Sequence, residues 1–246
     1  MDLLIGTLVL RPYVFGFLAA FLVAGARDLG WRRVVLFVAS VWPVAWLAEF
    51  SSTRIGIPFG LYHYTGDTRG LELYIADVPF MDSLSFTFLA YAAFCLARVA
   101  LNGRALPGPF LALYSGVLMM ALDVVIDPLA VRGDQWFLGR IFYYPDGGVY
   151  FGVPLSNFVG WVIVGAVGVG GYLALVGDAA GREPRGGATI YYAVAVFNVA
   201  VTVWIGEWVL AAVGLILHGV LALSLRWLHQ SVEAPVGFGG RGIENA

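Results

Sequence analysis

In LDVVIDP, residues 122–128, Asp123 and Asp127 stand four positions apart among Leu, Val and Ile. On a helix that spacing puts both carboxyls on one face, with Cβ atoms about 5–6 Å apart. Two carboxyls so close in an apolar setting rarely both ionise, so the pair can hold one proton and one charge between them, the equipment of an acid and a base. A third carboxyl, Glu49, lies at least a turn inside another apolar stretch, with Trp46, Leu47 and Phe50 around it. An Asp at a membrane-helix centre costs about 2.5–3.5 kcal/mol on insertion scales, so such a residue points to function. Asp82 and Glu207 each open an apolar stretch, where the positive end of a helix by itself favours an acid. Asn157 stands near the start of a further one.

Metal and thiol chemistry find less support. His63, His218 and His229 have no metal-ligand spacing. The single cysteine, Cys95, excludes an internal disulfide or a Cys-based metal cluster, and its apolar neighbours make it an ordinary core residue.

The elements that must position these groups are membrane helices. Of 246 residues 60% are hydrophobic and 12% charged, against roughly 25% charged in an average soluble domain. Apolar runs of the length needed to cross a bilayer, about 20 residues, recur along the chain. The reading is an all-α polytopic membrane protein of about seven transmembrane helices in one bundle. A single domain covers residues 1–230, and a flexible Gly-rich tail covers 231–246. The expected spans are 4–26, 34–52, 82–101, 109–127, 154–176, 188–205 and 207–228, with Arg11-Pro12 interrupting the first. Breaks at Gly186-Gly187 and Ile205-Gly206 delimit the last two helices, and Pro128 is read as a helix stop.

The basic residues are all arginine and scattered, and the net charge is −2, which gives no nucleic-acid footprint. Nine arginines (27, 32, 33, 98, 104, 182, 185, 226 and 241) fall on one side and five (11, 54, 69, 132 and 140) on the other. That bias predicts an external N-terminus and a cytoplasmic C-terminus in the cell membrane. Followed in these directions, Glu49, Asp82, Asp123, Asp127 and Glu207 all reach the outer leaflet, joined by Asn157 and Arg11. The long loops, 53–81 and 128–153, lie on that side, and loops of such length tend to carry function. Aromatic residues including Trp46, Tyr62, Tyr64, Trp136, Tyr150 and Trp161 lie toward the same leaflet, where ring faces can stabilise a cation.

GIPFGLYHYT (56–65), the Asp-x-x-x-Asp-Pro of LDVVIDP with Trp136 downstream, and YFGVPLSNFVGW (150–161) together resemble the integral-membrane carotenoid 1,2-hydratases. The likeness is strong over about residues 45–165. It departs from the family at Leu122, where several members carry Trp, and in the YYPDGG segment (143–148), which looks like an insertion. The resemblance implies water addition to the terminal alkene of an acyclic ψ-end group through a tertiary cation. It implies Asp123 or Asp127 as proton donor, with Glu49 as the group that orients or deprotonates water and Asn157 holding that water. Tyr62, Tyr64, Trp46, Trp136, Tyr150, Trp161, Glu207 and Asp82 would bind substrate. It implies no cofactor and no metal. The partners would be a carotenoid entering from the bilayer, water and membrane lipids, with room for contact with other carotenoid-pathway enzymes.

Two other classes compete. Asp-x-x-x-Asp also suits a Mg²⁺-dependent membrane prenyltransferase, although one Asp-rich motif and no lysine make an incomplete diphosphate site. A non-enzymatic pigment-binding or proton-coupled transport protein would use intramembrane carboxyls as a relay. A retinal Schiff base is excluded, because the chain has no lysine.

Overall fold

A computed structural model describes residues 2–101, 106–177 and 181–233, with side chains as far as Arg226. Eight α-helices account for most of these: α1 (Leu3–Leu10), α2 (Pro12–Asp28), α3 (Trp31–Ile55), α4 (Phe80–Leu101), α5 (Gly108–Ala130), α6 (Leu155–Val176), α7 (Arg185–Trp204) and α8 (Trp208–Glu233). Helices α3 to α8 are each long and apolar enough to cross a membrane, and α1 with α2 makes a bent seventh candidate. The all-α membrane bundle is therefore observed, with boundaries shifted by a few residues.

Two local expectations change, at Pro128 and at Gly186-Gly187, while the expected interruption of the first span is seen. The first span is broken, because α1 and α2 meet at 93°. Pro12 supplies no N–H, and the residue before a proline is driven out of the helical region. Arg11 accordingly has φ −125° and ψ 46°. Pro128 does not stop α5, which runs on to Ala130. The carbonyl of Val124, which Pro128 cannot serve, instead accepts the hydroxyl of Tyr150 at 3.1 Å. Gly186-Gly187 is no break either but lies in the first turn of α7, where a Cβ at Gly187 would strike Cys95 of α4. Helix α8 continues to Glu233, and the rest of the expected tail, residues 234–246, lies outside the described residues.

Helix α4 runs through the interior, buried almost without interruption from Phe86 to Ala97. The most extensive pairing is α5 with α6. It is close because Gly116 and Gly165 face one another: a Cβ on Gly165 would come within 2.8 Å of the Gly116 Cα. Small residues at such a crossing are how membrane helices gain van der Waals contact without a hydrophobic drive. The crossing sets the register between the end of α5 and the start of α6, where the carboxyls lie.

The two long loops are joined over one end of the bundle. Strand β1 (His63–Tyr64) pairs antiparallel with β4 (Phe142–Tyr143), while β2 (Tyr74–Ile75) and β3 (Val78–Pro79) form a hairpin within the first loop. Thr65 adds a backbone N–H to the Ile141 carbonyl at 2.9 Å and a hydroxyl to the Arg140 carbonyl at 2.7 Å. At the opposite end, Asp28 is buried and held by Arg98 at 2.6 Å, tying α2 to α4.

Candidate active site

The last turns of α5 and the first turns of α6 build one hydrogen-bonded cluster. Asn157 donates through Nδ2 to Asp123 Oδ2 at 2.7 Å and to Asp127 Oδ2 at 2.8 Å. Trp161, one turn on, donates its indole N–H to the same Asp127 oxygen at 3.2 Å. The Asp127 backbone N–H reaches Asp123 Oδ1 at 3.2 Å. Asp123 is fully buried behind this network, whereas Asp127 is only half-buried and faces a cavity.

Glu49, from α3, faces the same cavity and is differently served. Its side chain is buried and comes within hydrogen-bonding reach of Tyr64, yet Oε2 has no hydrogen-bond partner among the described residues. The loop after α3 explains how Tyr62 and Tyr64 arrive there. Ser52 Oγ accepts the Phe59 N–H at 3.0 Å, and Gly60 takes φ +93° so closely against Pro154 and Ser156 that a Cβ would sit 2.9 Å from each. This tight GIPFG turn points Phe59 and the following tyrosines inward. The Tyr62 and Tyr64 hydroxyls lie 3.4 Å apart. Burial, followed by the nearby Glu49 carboxyl, pushes both phenols well above their ordinary titration range. Tyr144 is pushed up likewise, by burial and then by Asp127 and Asp123.

The third cavity-facing acid, Asp82, lies in the first turn of α4. Near it is Arg11, turned inward by the α1–α2 bend and 1% exposed. Arg11 makes a bidentate pair with buried Glu72, at 2.7 and 3.1 Å, and reaches the Leu138 carbonyl at 3.4 Å. The guanidinium thus joins the bend to both long loops.

The cavity measures about 140 Å³. Three acids (Glu49, Asp82, Asp127) and Asn157 form its polar end, while Tyr62, Tyr64, Trp136, Tyr144 and Trp161 supply rings around it. It extends between α2, α4 and α7 along Tyr13, Phe17, Phe88, Leu89, Val194 and Phe197. Trp161 stacks on Phe86 with centroids 4.4 Å apart, and Tyr13 stacks on Phe197 at 5.4 Å. The arrangement offers proton donors and acceptors to a slender apolar molecule with its end at the acids.

Four of the expected residues do not line the cavity with these. Asp123 sits behind Asp127, and Tyr150 is committed to the Val124 carbonyl. Trp46 donates to the Ile75 carbonyl at 3.3 Å and stacks on Phe50. Glu207 pairs with Arg132 at 2.7 Å, joining the start of α8 to the end of α5.

Residues 3–221 match the family described as carotenoid biosynthesis protein. The chain belongs to that family. Within it, 148 residues are 32% identical to the bisanhydrobacterioruberin hydratase of Haloarcula japonica, covering 60% of this chain and 47% of that relative. The match thus spans about half the relative's length. No solved structure matches the chain. With six described helices long and apolar enough to cross a membrane, and a bent pair as a seventh candidate, this family member is a multi-pass membrane protein. Among its described residues no three His, Cys, Asp or Glu side chains gather as a metal-binding group.

Sequence reasoning missed several cavity residues of this family member. Tyr13, Phe17, Phe86, Phe88 and Phe197 look like any apolar residue of a membrane helix, and only packing selects them. Phe59 had a signal, the Gly- and Pro-rich turn around it. Outside the cavity, the pairing of Glu72 had none, since its partner Arg11 is 61 positions away.

Proposed function

We propose that this protein adds water across the terminal C1=C2 double bond of an acyclic ψ-end group, giving a tertiary 1-hydroxy carotenoid. One observation carries the reading: three carboxyls and Asn157 line one cavity whose other walls are mostly aromatic and aliphatic. An isolated trisubstituted alkene reacts with water only after protonation at C2, which leaves a tertiary cation at C1. A carboxyl supplies that proton, and a second carboxyl takes the proton released when water captures the cation. The faces of Trp161, Phe86 and the tyrosines lower the energy of the cation between these steps. Asn157, already bonded to Asp127, is placed to help hold the water.

The polyene lies between α2, α4 and α7 along Phe17, Phe88 and Phe197, entering sideways from the lipid. Nothing in this scheme requires a metal or a redox cofactor. The protein sits in the cell membrane with its N-terminus outside and its C-terminus in the cytoplasm, which puts the acidic end in the outer leaflet. The name of the archaeal relative, a hydratase, agrees with this reading. Expression in a lycopene-producing bacterium, followed by mass analysis of the pigments, tests it. Carotenoids heavier by one or two waters are expected; pigments unchanged across several acyclic carotenoid hosts would refute it.

A further inference from the structure

We infer that the acids of the cavity have fixed and opposite roles: Glu49 protonates the alkene, and Asp127, held by Asn157 and Trp161, receives the proton of the attacking water. This assignment rests on the hydratase reading and reverses the order that the family resemblance alone implies.

The argument begins from what each carboxyl is offered. Asp127 Oδ2 accepts two N–H groups, at 2.8 and 3.2 Å, and donors of that kind support a carboxylate. Glu49, which also lines the cavity, is offered less: Tyr64 comes within hydrogen-bonding reach, but the buried Oε2 meets no donor among the described residues. An uncompensated charge there would be costly, while a neutral carboxyl fits and has an O–H to give. Asp123 cannot serve as the donor, because it is fully buried and does not line the cavity. Its oxygens are occupied by Asn157 and by the Asp127 backbone N–H. Asp123 is a positioning residue that holds Asn157 toward Asp127.

The step balances as follows. The alkene π pair forms the new C2–H bond while the Glu49 O–H bond breaks and leaves a carboxylate. A water lone pair then bonds C1, and Asp127 takes the proton this water releases. Asp127 returns its proton to solvent and Glu49 recovers one, so alkene plus water gives alcohol with the enzyme unchanged.

Deuterium exchange separates the two roles. Membranes carrying each variant are incubated with the acyclic carotenoid in D₂O, and both product and recovered substrate are analysed by mass. In Asp127→Asn, hydration is expected to fall by about 10²–10⁴-fold, the usual weight of one acid–base group. Recovered substrate should still gain deuterium at C2, because Glu49 protonates the alkene and removes H or D again. In Glu49→Gln, both hydration and labelling are expected to vanish. Labelled substrate from Glu49→Gln, or unlabelled substrate from Asp127→Asn, overturns the division of roles. Should Glu49→Gln not accumulate, Glu49→Asp keeps a carboxyl set back by one methylene, and labelling slowed by about 100-fold is expected from such a displacement; an unchanged rate overturns the assignment. A wild-type protein that neither hydrates nor labels overturns the hydratase reading itself.

Discussion

Asn157 donates its side-chain amide to Asp127 at 2.8 Å, joining the first turn of α6 to the last turn of α5. The same nitrogen serves Asp123, so one residue organises both aspartates. Asn157→Ala leaves two carboxyls without a shared donor, at a cost of about 1–3 kcal/mol each for lost buried partners. Hydration in a carotenoid-producing host should drop by at least ~100-fold, while Asn157→Asp should not restore it, since a carboxyl in that place adds negative charge. Pigment mass analysis with quantified protein level checks both.

Tyr150 is bonded to the carbonyl that Pro128 leaves free, outside the cavity. Tyr150→Phe should therefore lower thermal stability in detergent by about 0.5–1.5 kcal/mol, the net worth of one partly buried hydrogen bond. Product composition at a permissive temperature should stay as in the wild type. A changed product at unchanged stability would instead make Tyr150 a substrate contact.

Arg11 and Glu72 are both buried and bonded to one another at 2.7 Å. Removing one partner alone, as in Glu72→Ala, strands a buried cation and should cost about 3–5 kcal/mol. Replacing both by Met should be much milder, because a buried pair often exchanges for apolar residues at little loss. Thermal denaturation of the two single variants and the double variant measures this coupling. A double variant as unstable as the sum of the singles would show the two residues to be independent.

Gly165 packs against Gly116 where α5 crosses α6, and a Cβ there would come within 2.8 Å of the Gly116 Cα. Gly165→Leu should force the helices apart and pull Asn157 from the aspartates. Loss of hydration together with a lowered melting temperature is expected, whereas Gly170→Ala on the same helix, with only ordinary contact at 3.6 Å, should be tolerated.

Tyr62, Tyr64 and Tyr144 titrate above the ordinary tyrosine range because they are buried beside acids. Raised folded-state values mean that the folded protein binds more protons than the unfolded chain at alkaline pH. The stability they contribute is complete below the unfolded value, about 10, and is lost as pH rises above it. Absorbance titration should show a set of phenols that ionise only together with unfolding. Tyr62→Phe/Tyr64→Phe should shift the alkaline unfolding midpoint upward.

Membrane character and helix number are legible in the sequence because hydropathy is summed over about 20 residues, so individual side chains hardly matter. Asp123, Asp127 and Glu49 stand out for the related reason that charge in hydrocarbon is costly wherever the helices pack. The local period of α5 likewise puts its two aspartates on one face without any tertiary information. The bend at Arg11-Pro12 was visible as an interruption, though not its direction. That direction depends on Glu72, which lies in a distant loop.

What the tertiary structure alone decided is the division among like residues. By sequence, Asp123 and Asp127 are equivalent, as are Tyr64 and Tyr150, or Asp82 and Glu207. Packing buries Asp123 and turns Asp127 to the cavity; it sends Tyr64 to Glu49 and Tyr150 to a backbone carbonyl; it leaves Glu207 paired with Arg132. The physical reason is one of range. Partition into a membrane is an additive property of short segments, whereas a hydrogen bond at 2.8 Å depends on the crossing of two helices, here determined by two glycines far from the acids.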